Sequence, residues 1–286
     1  MWNNDRTKTA YRTVLAVAMC ALLSVASTTS YADGIVERIK AAGKLTVATE
    51  AAYPPFEFMK DGKITGYSKH ILDHIVADLG VELNQLDLPF QGILPGLLAK
   101  KYDFVATSVS VNEKRAKNYA FTRPIGTNQT VLLVREGEKG ITSLTDLSGK
   151  VVATQLGSSF VPVAKEHIAE LKAAGKEGYA DLKLFQAIPE TFVALASSQV
   201  DAVIVGSVQA GDVMGKRPGT FKIVAKIGTP RFMSWATRPE DKDLRDYINV
   251  KIGELVDNGK IAEWQKQWFG FEMDMRADNY LPAGAH

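Results

Sequence analysis

The sequence contains one cysteine, Cys20, among 286 residues. Disulfides and cysteine metal sites need at least two thiols, so both are excluded within one chain. Long apolar runs are scarce as well, since the run at residues 14–25 is too short to span a bilayer comfortably. No excess of charge remains beyond the first 32 residues, which hold three of the 34 basic and one of the 32 acidic side chains. This balance argues against nucleic acid or an anionic membrane as the main partner.

The first 32 residues have the three parts of a secretory signal. A basic segment precedes the apolar run at 14–25, and Ser30 and Ala32 fit a small-x-small cleavage site. We therefore expect residues 1–32 to be a signal peptide, cleaved after Ala32, and the mature protein to be periplasmic. An uncleaved anchor is the first alternative, but the run is short for it. Lipidation at Cys20 is the second, although the residue before it is bulkier than such processing normally requires.

The remaining chain alternates helical patterns with short apolar strands, which predicts an α/β fold. Its length is comfortable for two lobes. A first strand at 44–49 leads into a segment rich in aromatics, residues 50–58, whose two prolines predict an extended loop. Core packing explains some of these aromatics, and the others could form the wall of a ligand site.

The segment from Phe104 to Arg115 is the most informative one. An apolar strand ends in a run of hydroxyl side chains that includes Ser108 and Ser110. Asn112 is the predicted N-cap of a helix, which places Arg115 in its first turn. Strand ends of α/β sheets face the ligand crevice, and an arginine there can grip a carboxylate with two hydrogen bonds. The alternative is an arginine on a solvated helix face.

Two segments of the chain share one plan, which is a weak internal repeat. Residues 97–108 and 195–206 each contain a helix end, a polar turn, an aspartate and an apolar strand. If the repeat is real, equivalent strands of the two halves point at a common crevice. Chance can also produce this pattern in a long α/β protein.

The segment between the two repeats predicts a second helix start at the crevice. A strand at 151–154 is followed by Gln155, and Gly157 permits close approach of the backbone. Ser158 or Ser159 can cap the following helix or bind an anion there, and capping alone is a sufficient explanation.

Histidines offer no convincing metal or catalytic site. His70 and His74 stand four residues apart on a predicted helix, but no third ligand accompanies them, so a solvated helix flank is the better interpretation. We expect no metal, no cofactor and no catalytic residue.

Several motifs, in this order and spacing, resemble the extracellular solute-binding proteins of family 3, the periplasmic receptors of amino-acid ABC transporters. The resemblance covers residues 43–270. The matching segments are 43–50 (GKLTVATE), 53–56 (YPPF), 61–66 (DGKITG), 90–95 (FQGILP), 101–103 (KYD), 110–115 (SVNEKR), 121–124 (FTRP), 257–259 (DNG) and 267–270 (QWFG).

The resemblance implies the type II periplasmic-binding-protein fold, in which two hinge strands join two lobes that close on a ligand. Lobe 1 would comprise 33–126 plus 231–286, and lobe 2 would comprise 127–230. Arg115 would bind the ligand carboxylate. The other implied ligand-binding residues are Glu50, Tyr53, Phe56, Phe90, Ser108, Ser110, Gln155, Ser158, Ser159 and Gly206.

One departure from the family pattern concerns the ligand's amine. The family usually places an aspartate that binds the α-ammonium where this chain has Gly206. Either Glu50 or backbone carbonyls near Ser108 replace it, or the ligand has no free amine. We favour an amino acid or a derivative over an amine-free organic carboxylate.

The expected function is therefore that of a non-enzymatic, monomeric receptor, which delivers a small carboxylate to a membrane ABC permease. A chemoreceptor is a further candidate partner. A dehydratase-like enzyme on the same scaffold is the less favoured alternative, because Glu50 is the only carboxylate that we can place near the arginine. No interaction with nucleic acid is expected.

Overall fold

The computed structural model describes residues 34–275 and 280–286, so the predicted signal and Cys20 lie outside the described residues. The helices among them, numbered in chain order, are α1 (Ile35–Ala42), α2 (Tyr67–Leu79), α3 (Phe90–Leu98), α4 (Glu113–Ala116), α5 (Phe160–Ala173), α6 (Ile188–Ala196), α7 (Ser207–Lys216), α8 (Lys242–Asp257) and α9 (Lys260–Phe269).

The strands alternate with these helices, as the sequence predicts. They are β1 (Lys44–Thr49), β2 (Ala52–Tyr53), β3 (Glu57–Lys60), β4 (Lys63–Thr65), β5 (Glu82–Asp87), β6 (Phe104–Ser110), β7 (Ala120–Phe121), β8 (Gly126–Arg135), β9 (Val151–Gln155), β10 (Asp181–Phe185), β11 (Ala202–Gly206) and β12 (Phe221–Thr237).

Within the described residues, most strands join one sheet in the order β10-β9-β11-β8-β12-β6-β1-β5, to which β7 is added at β12. The long strand β12 pairs antiparallel with β8 from Phe221 to Met233, and with β6 from Met233 to Ala236. The strands β8 and β12 therefore connect a β5-β1-β6 arm to a β11-β9-β10 arm. This is the predicted two-lobed arrangement with two connecting strands.

The weak sequence repeat corresponds to a repeat in the structure. Asp103 accepts a hydrogen bond from the backbone N–H of Thr46 at 2.7 Å, and Asp201 accepts one from Val151 at 2.9 Å. In both arms the strand that follows the aspartate runs parallel to its partner, β6 beside β1 and β11 beside β9. Equivalent loops therefore leave the carboxyl ends of β1 and β9, and Glu50 and Gln155 occupy equivalent positions at these strand ends.

Two local predictions differ from the structure. The apolar strand that we predicted to end where the hydroxyl side chains begin continues through them to Ser110, because all seven residues of β6 are buried and antiparallel pairing with β12 extends the strand. The predicted extended loop at 50–58 instead forms two short antiparallel strands, in which Tyr53 pairs with Glu57.

Aromatic residues of α9 pack this last helix against earlier parts of the chain. Trp264 stacks on His70, with ring centroids 5.2 Å apart, while Phe269 lies 4.9 Å from Phe56. The pair His70 and His74 does not belong to a metal-binding cluster, and we find no such cluster in 34–275 or 280–286. In the same ranges, no helix has the length and apolar character required to cross a bilayer.

Candidate ligand-binding cleft

A cleft with about 420 Å³ of open space lies where the ends of β1, β6 and β9 approach β8 and β12. Nine of the predicted ligand-binding residues line it, namely Glu50, Tyr53, Phe90, Ser108, Ser110, Arg115, Gln155, Ser158 and Ser159.

Arg115 is directed into the cleft by the start of α4. Asn112 caps this helix as predicted, since its side chain accepts a hydrogen bond from the backbone N–H of Arg115 at 2.9 Å. The guanidinium donates to the backbone oxygen and hydroxyl of Ser110, both at 3.0 Å, and to the backbone oxygen of Gly157 at 3.2 Å. Its carbon lies 5.4 Å from the centroid of the Phe90 ring. No carboxylate of the described chain forms an ion pair with it.

Burial, with a smaller effect from Arg231, lowers the pKa of Arg115 to about 10, so the side chain is still a cation at neutral pH. A partly desolvated cation without an acidic partner gains from a bound anion, because the anion restores favourable charge interactions lost on burial. The geometry therefore suits a carboxylate group of a small molecule.

The predicted second helix start borders the same part of the cleft. Ser159 accepts a hydrogen bond from Ser110 at 2.8 Å, and Ser158 accepts one from the backbone N–H of Phe160 at 3.2 Å. Gly157 has φ +77°, and a Cβ there would lie 2.9 Å from the Cα of Gln91. The close approach inferred from this glycine is thus present.

Glu50 and Gln155 meet across the cleft. The amide of Gln155 donates to the carboxyl of Glu50, and also to the backbone oxygen of Gln186 at 3.1 Å. Burial, partly offset by the Gln155 hydrogen bond, raises the pKa of Glu50 to about 8. At neutral pH the Glu50 carboxyl is therefore mainly protonated in the unliganded cleft.

A second buried carboxyl, Glu57, lies behind the cleft wall and was not among the predicted residues. It accepts hydrogen bonds from Thr107 Oγ1 at 2.8 Å, and from the N–H and hydroxyl of Ser108 at 2.7 and 3.0 Å. Burial raises its pKa to about 7, although the hydrogen bonds from Ser108, Ser68 and Thr107 act in the opposite direction. Glu57 thus fixes the wall residue Ser108 from behind.

The raised pKa of Glu50 predicts a pH-dependent stability. The folded protein binds this proton more tightly than the unfolded chain, so the free energy of unfolding falls as pH rises from about 4.5 to about 8. The fall is at most about 1.4 kcal/mol per pH unit for one carboxyl. We expect Glu50→Gln to gain stability relative to the native protein as pH rises from 5 to 8, measured by urea unfolding.

Comparing Glu50→Gln with the native protein isolates the contribution of Glu50 to the pH dependence of stability, because both proteins carry the same histidines and Glu57. The exposed Glu82 provides a matched control, and Glu82→Gln should follow the native pH profile. A Glu50→Gln protein with the same pH profile as the native one would contradict the prediction.

Gly206, at the end of β11, does not line the cleft. A Cβ at this position would lie less than 3.0 Å from Asn128 Nδ2 and Gln209 Oε1, and 2.7 Å from Asn128 Cγ. Asn128 donates to Gln209 at 2.8 Å and to the hydroxyl of Tyr53 at 3.1 Å. Two amide side chains therefore occupy the space beside Gly206.

The aromatic residues divide between the wall and its support. Tyr53 and Phe90 line the cleft, whereas Phe56 does not. Phe56 is fully buried behind Tyr53, with ring centroids 5.6 Å apart, and packs against Tyr67 and Phe269. Our expectation that Phe56 lines the wall does not match this cleft, because the turn between β2 and β3 directs its ring into the core.

Five further residues line the cleft but were missed from the sequence. They are Asn128 and Thr130 of β8, Phe160 of α5, and Arg231 and Met233 of β12. Four of them lie on the two connecting strands, where Asn128 stands opposite Arg231. The charge of Arg231 was the only available signal, and the sequence did not show that β12 passes the cleft.

Arg115 and Tyr53 provide hydrogen-bond donors to the cleft. Both amide hydrogens of Asn128 are used within the protein, and its oxygen accepts from the N–H of Val208 at 3.1 Å. The hydroxyl of Tyr53, which accepts from Asn128, keeps its own proton for a ligand. Together with Arg115, this arrangement favours an anionic ligand. Glu50 is the one carboxyl among the described residues that line the cleft.

A profile of the bacterial extracellular solute-binding proteins, family 3, matches residues 45–271. Among curated proteins, the L-cystine-binding protein TcyJ of Escherichia coli is 28% identical over 263 residues, which cover 91% of this chain and 94% of TcyJ. The arginine-binding extracellular protein ArtP of Bacillus subtilis is 26% identical over 266 residues, which cover 90% of this chain and 96% of ArtP.

The comparison with solved structures agrees with this family match. A mutant of ArgBP from T. maritima has a TM-score of 0.73 and 31% identity, covering 82% of this chain and 99% of that one. AbpA of Streptococcus pneumoniae, an amino-acid ABC transporter substrate-binding protein bound to L-arginine, has a TM-score of 0.74 and 26% identity, covering 82% of this chain and 98% of AbpA. Because the profile spans most of the chain, this protein belongs to the bacterial extracellular solute-binding proteins of family 3.

Proposed function

We propose that the protein binds an amino acid, or an amino-acid derivative, in this cleft and delivers it to an ABC permease. The observation that carries the proposal is the Arg115 guanidinium, which lies in the cleft without a carboxylate partner from the described chain. In the proposed complex the ligand carboxylate binds Arg115, with further donors from Ser159 and the adjacent backbone. The cystine- and arginine-binding relatives support an amino acid as the ligand class.

The α-ammonium would bind to Glu50. Its carboxyl is at the cleft surface, and a bound ammonium would lower its pKa and convert it to the carboxylate. The cost of removing the proton at pH 7 is small, about 1.4 kcal/mol for one unit between the pH and the pKa. A charge-assisted hydrogen bond of about 1.5 to 3 kcal/mol can offset it.

An amine-free organic carboxylate is the second candidate ligand. The observation that favours it is the environment of Gly206, where Asn128 and Gln209 are hydrogen-bonded to each other and no carboxylate is available for an ammonium. This candidate needs only Arg115 and the neutral form of Glu50.

In our proposal the protein is a receptor and not an enzyme. A dehydratase needs a general acid or base beside the carboxylate-binding group, and Glu50 is held by Gln155 in the described structure. One structural neighbour, at 25% identity, is an ancestral amino acid-binding protein described as a precursor of cyclohexadienyl dehydratase. Turnover assays therefore belong in the test.

We place lobe 1 at 33–126 plus 231–286 and lobe 2 at 127–230. With these bounds the chain passes between the lobes twice, at the start of β8 and inside β12. The pairing of β12 with β8 shifts register between Ile227 and Arg231. A register shift is a suitable place for a hinge, because fewer ladder hydrogen bonds have to be kept during closure. In this proposal the protein is a monomer in the periplasm, and its closed form also binds a chemoreceptor.

The ligand can be identified by mass spectrometry of the solute released when the purified protein is denatured. We expect that solute, added back at about 100 times its dissociation constant, to raise the melting temperature by roughly 5–10 °C. Its amine-free analogue, tested at the same concentration, decides between the two ligand classes.

Long incubation of protein and solute should leave the solute chemically unchanged. Formation of a product would show that the protein is an enzyme and not only a receptor. If neither amino acids nor organic carboxylates change the melting temperature, the proposed function is wrong.

A further inference from the structure

Arg231 is a second cation at the cleft, and the carboxylate-binding role assigned to Arg115 does not use it. It lies on β12 directly opposite Asn128 of β8, and both side chains line the cleft. Residues directly opposite in antiparallel strands share one face of the sheet. Among the described residues, the side chain of Arg231 has no acidic partner within ion-pair distance.

The charges of the two arginines interact. The positive charge of Arg231 contributes to the lowered pKa of Arg115, after burial. Glu50, the one carboxyl lining this part of the described cleft, is mainly protonated near neutral pH and hydrogen-bonded to Gln155. The side chains of the cleft therefore supply two positive charges and little negative charge to balance them. Such a site attracts anions and disfavours cations.

Arg231 also borders a larger open groove outside the cleft. Arg115, Arg231, Phe90, Ser158 and Ser159 line both spaces, so the cleft and the groove are continuous at the two arginines. Farther out the groove carries Glu113 and Lys114, whose opposite charges offset each other. A short solute would lie on the cleft side of the two arginines, and a longer one would extend past Arg231 into the groove.

We propose that the solute carries two acidic groups, one bound by Arg115 and the other by Arg231. This inference rests on the proposed function, because it assumes that Arg115 binds the first carboxylate. The chemical class is a dicarboxylate amino acid, and its two forms are a short acidic amino acid and a longer bis-amino acid with a carboxylate at each end.

The test uses two pairs of probes that differ in the second acidic group. L-Glutamate and L-glutamine form the short pair, and 2,6-diaminopimelate and L-lysine form the long pair. Calorimetry on the native protein should show that the diacid of at least one pair binds about tenfold or more tightly than its partner, the effect of one charge-assisted hydrogen bond. The short pair reports on the cleft, and the long pair on the groove.

Arg231→Gln should reduce this preference to less than about threefold by weakening binding of the diacid, while the affinity for the net-neutral L-glutamine changes little. Arg231→Lys, which keeps the charge, should retain part of the preference. Arg217→Gln is the matched control, because it removes one positive charge from an exposed arginine that lines neither the cleft nor the groove and should leave the preference intact. Arg115→Ala should weaken both members of a pair.

Several results would overturn the inference. One is equal or weaker binding of the diacid in both pairs, and another is a preference that survives Arg231→Gln. If amino acids with one acidic group bind tightly through Arg115 and diacids do not, the inference is wrong and the proposed function stands. If no probe and no other amino acid or organic carboxylate binds, both are wrong.

Discussion

Replacing Arg115 by alanine is expected to weaken binding of the solute by roughly 30-fold to several thousandfold. Removing one partner of a buried, hydrogen-bonded charge pair costs about 2 to 5 kcal/mol, much of it because the other charge is left buried and unpaired. In this cleft the charge left unpaired would be the ligand carboxylate, which would lie next to Phe90 and the Ser159 hydroxyl. Isothermal titration calorimetry on native and variant protein measures the loss.

The variant should remain folded. The helix cap is kept, because Asn112 binds the backbone N–H of residue 115 and not its side chain. Arg217→Ala, an exposed arginine at the end of α7, is the matched control and should bind like the native protein. Arg115→Lys should give an intermediate affinity, since lysine keeps the charge but loses the two-pronged geometry. An Arg115→Ala protein with affinity within threefold of native would show that the carboxylate is bound elsewhere.

Introducing the family's aspartate as Gly206→Asp is expected to lower the free energy of unfolding by about 3 kcal/mol or more. Overpacking a well-packed site costs about 1 to 3 kcal/mol, and burying a carboxylate adds to it. The new Cβ alone would lie less than 3.0 Å from Asn128 Nδ2 and Gln209 Oε1. Both amides are buried and hydrogen-bonded to each other, so neither can move freely.

Urea unfolding of a double-mutant cycle separates the steric contribution from the others. Asn128→Ala removes the nearest atoms, so the loss from Gly206→Asp should be smaller in that background than in the native one. Gly211→Asp on α7 is the control, because a Cβ at that glycine has no neighbour within 4 Å. If Gly206→Asp is as stable as the native protein, the amides do not fill this space as described.

Features encoded by short-range patterns could be predicted from the sequence. The N-cap at Asn112 and the position of Arg115 depend on residues three positions apart. The repeat with Asp103 and Asp201 was visible because each aspartate stands at a fixed distance from its strand. The α/β class and the type II fold followed from alternating patterns and from family motifs.

Features set by long-range pairing could not be predicted in this way. Arg231 enters the cleft because β12 pairs with β8 and changes register on the way, and no local pattern fixes that register. Glu57 receives its partners from Thr107 and Ser108, some 50 residues later. The turn between β2 and β3 decides that Tyr53 and not Phe56 faces the cleft, and this depends on the backbone geometry.

The departure at Gly206 shows what sequence and structure contribute separately. The sequence showed that the usual aspartate is absent. The structure adds that Asn128 and Gln209 fill the space beside Gly206. Asn128 donates hydrogen bonds to Gln209 and Tyr53 and accepts one from the backbone N–H of Val208 at the start of α7. The site of the missing carboxylate is therefore filled by amides, which leaves Glu50 as the acidic group available to a ligand amine.

A crystal structure of the protein with its released solute tests the central claim most directly. We expect a carboxylate oxygen of the solute within about 3 Å of each terminal nitrogen of Arg115, in the cleft between Phe90 and Ser159. A solute whose acid group is bound away from Arg115, or a solute without an acid group, would contradict the account.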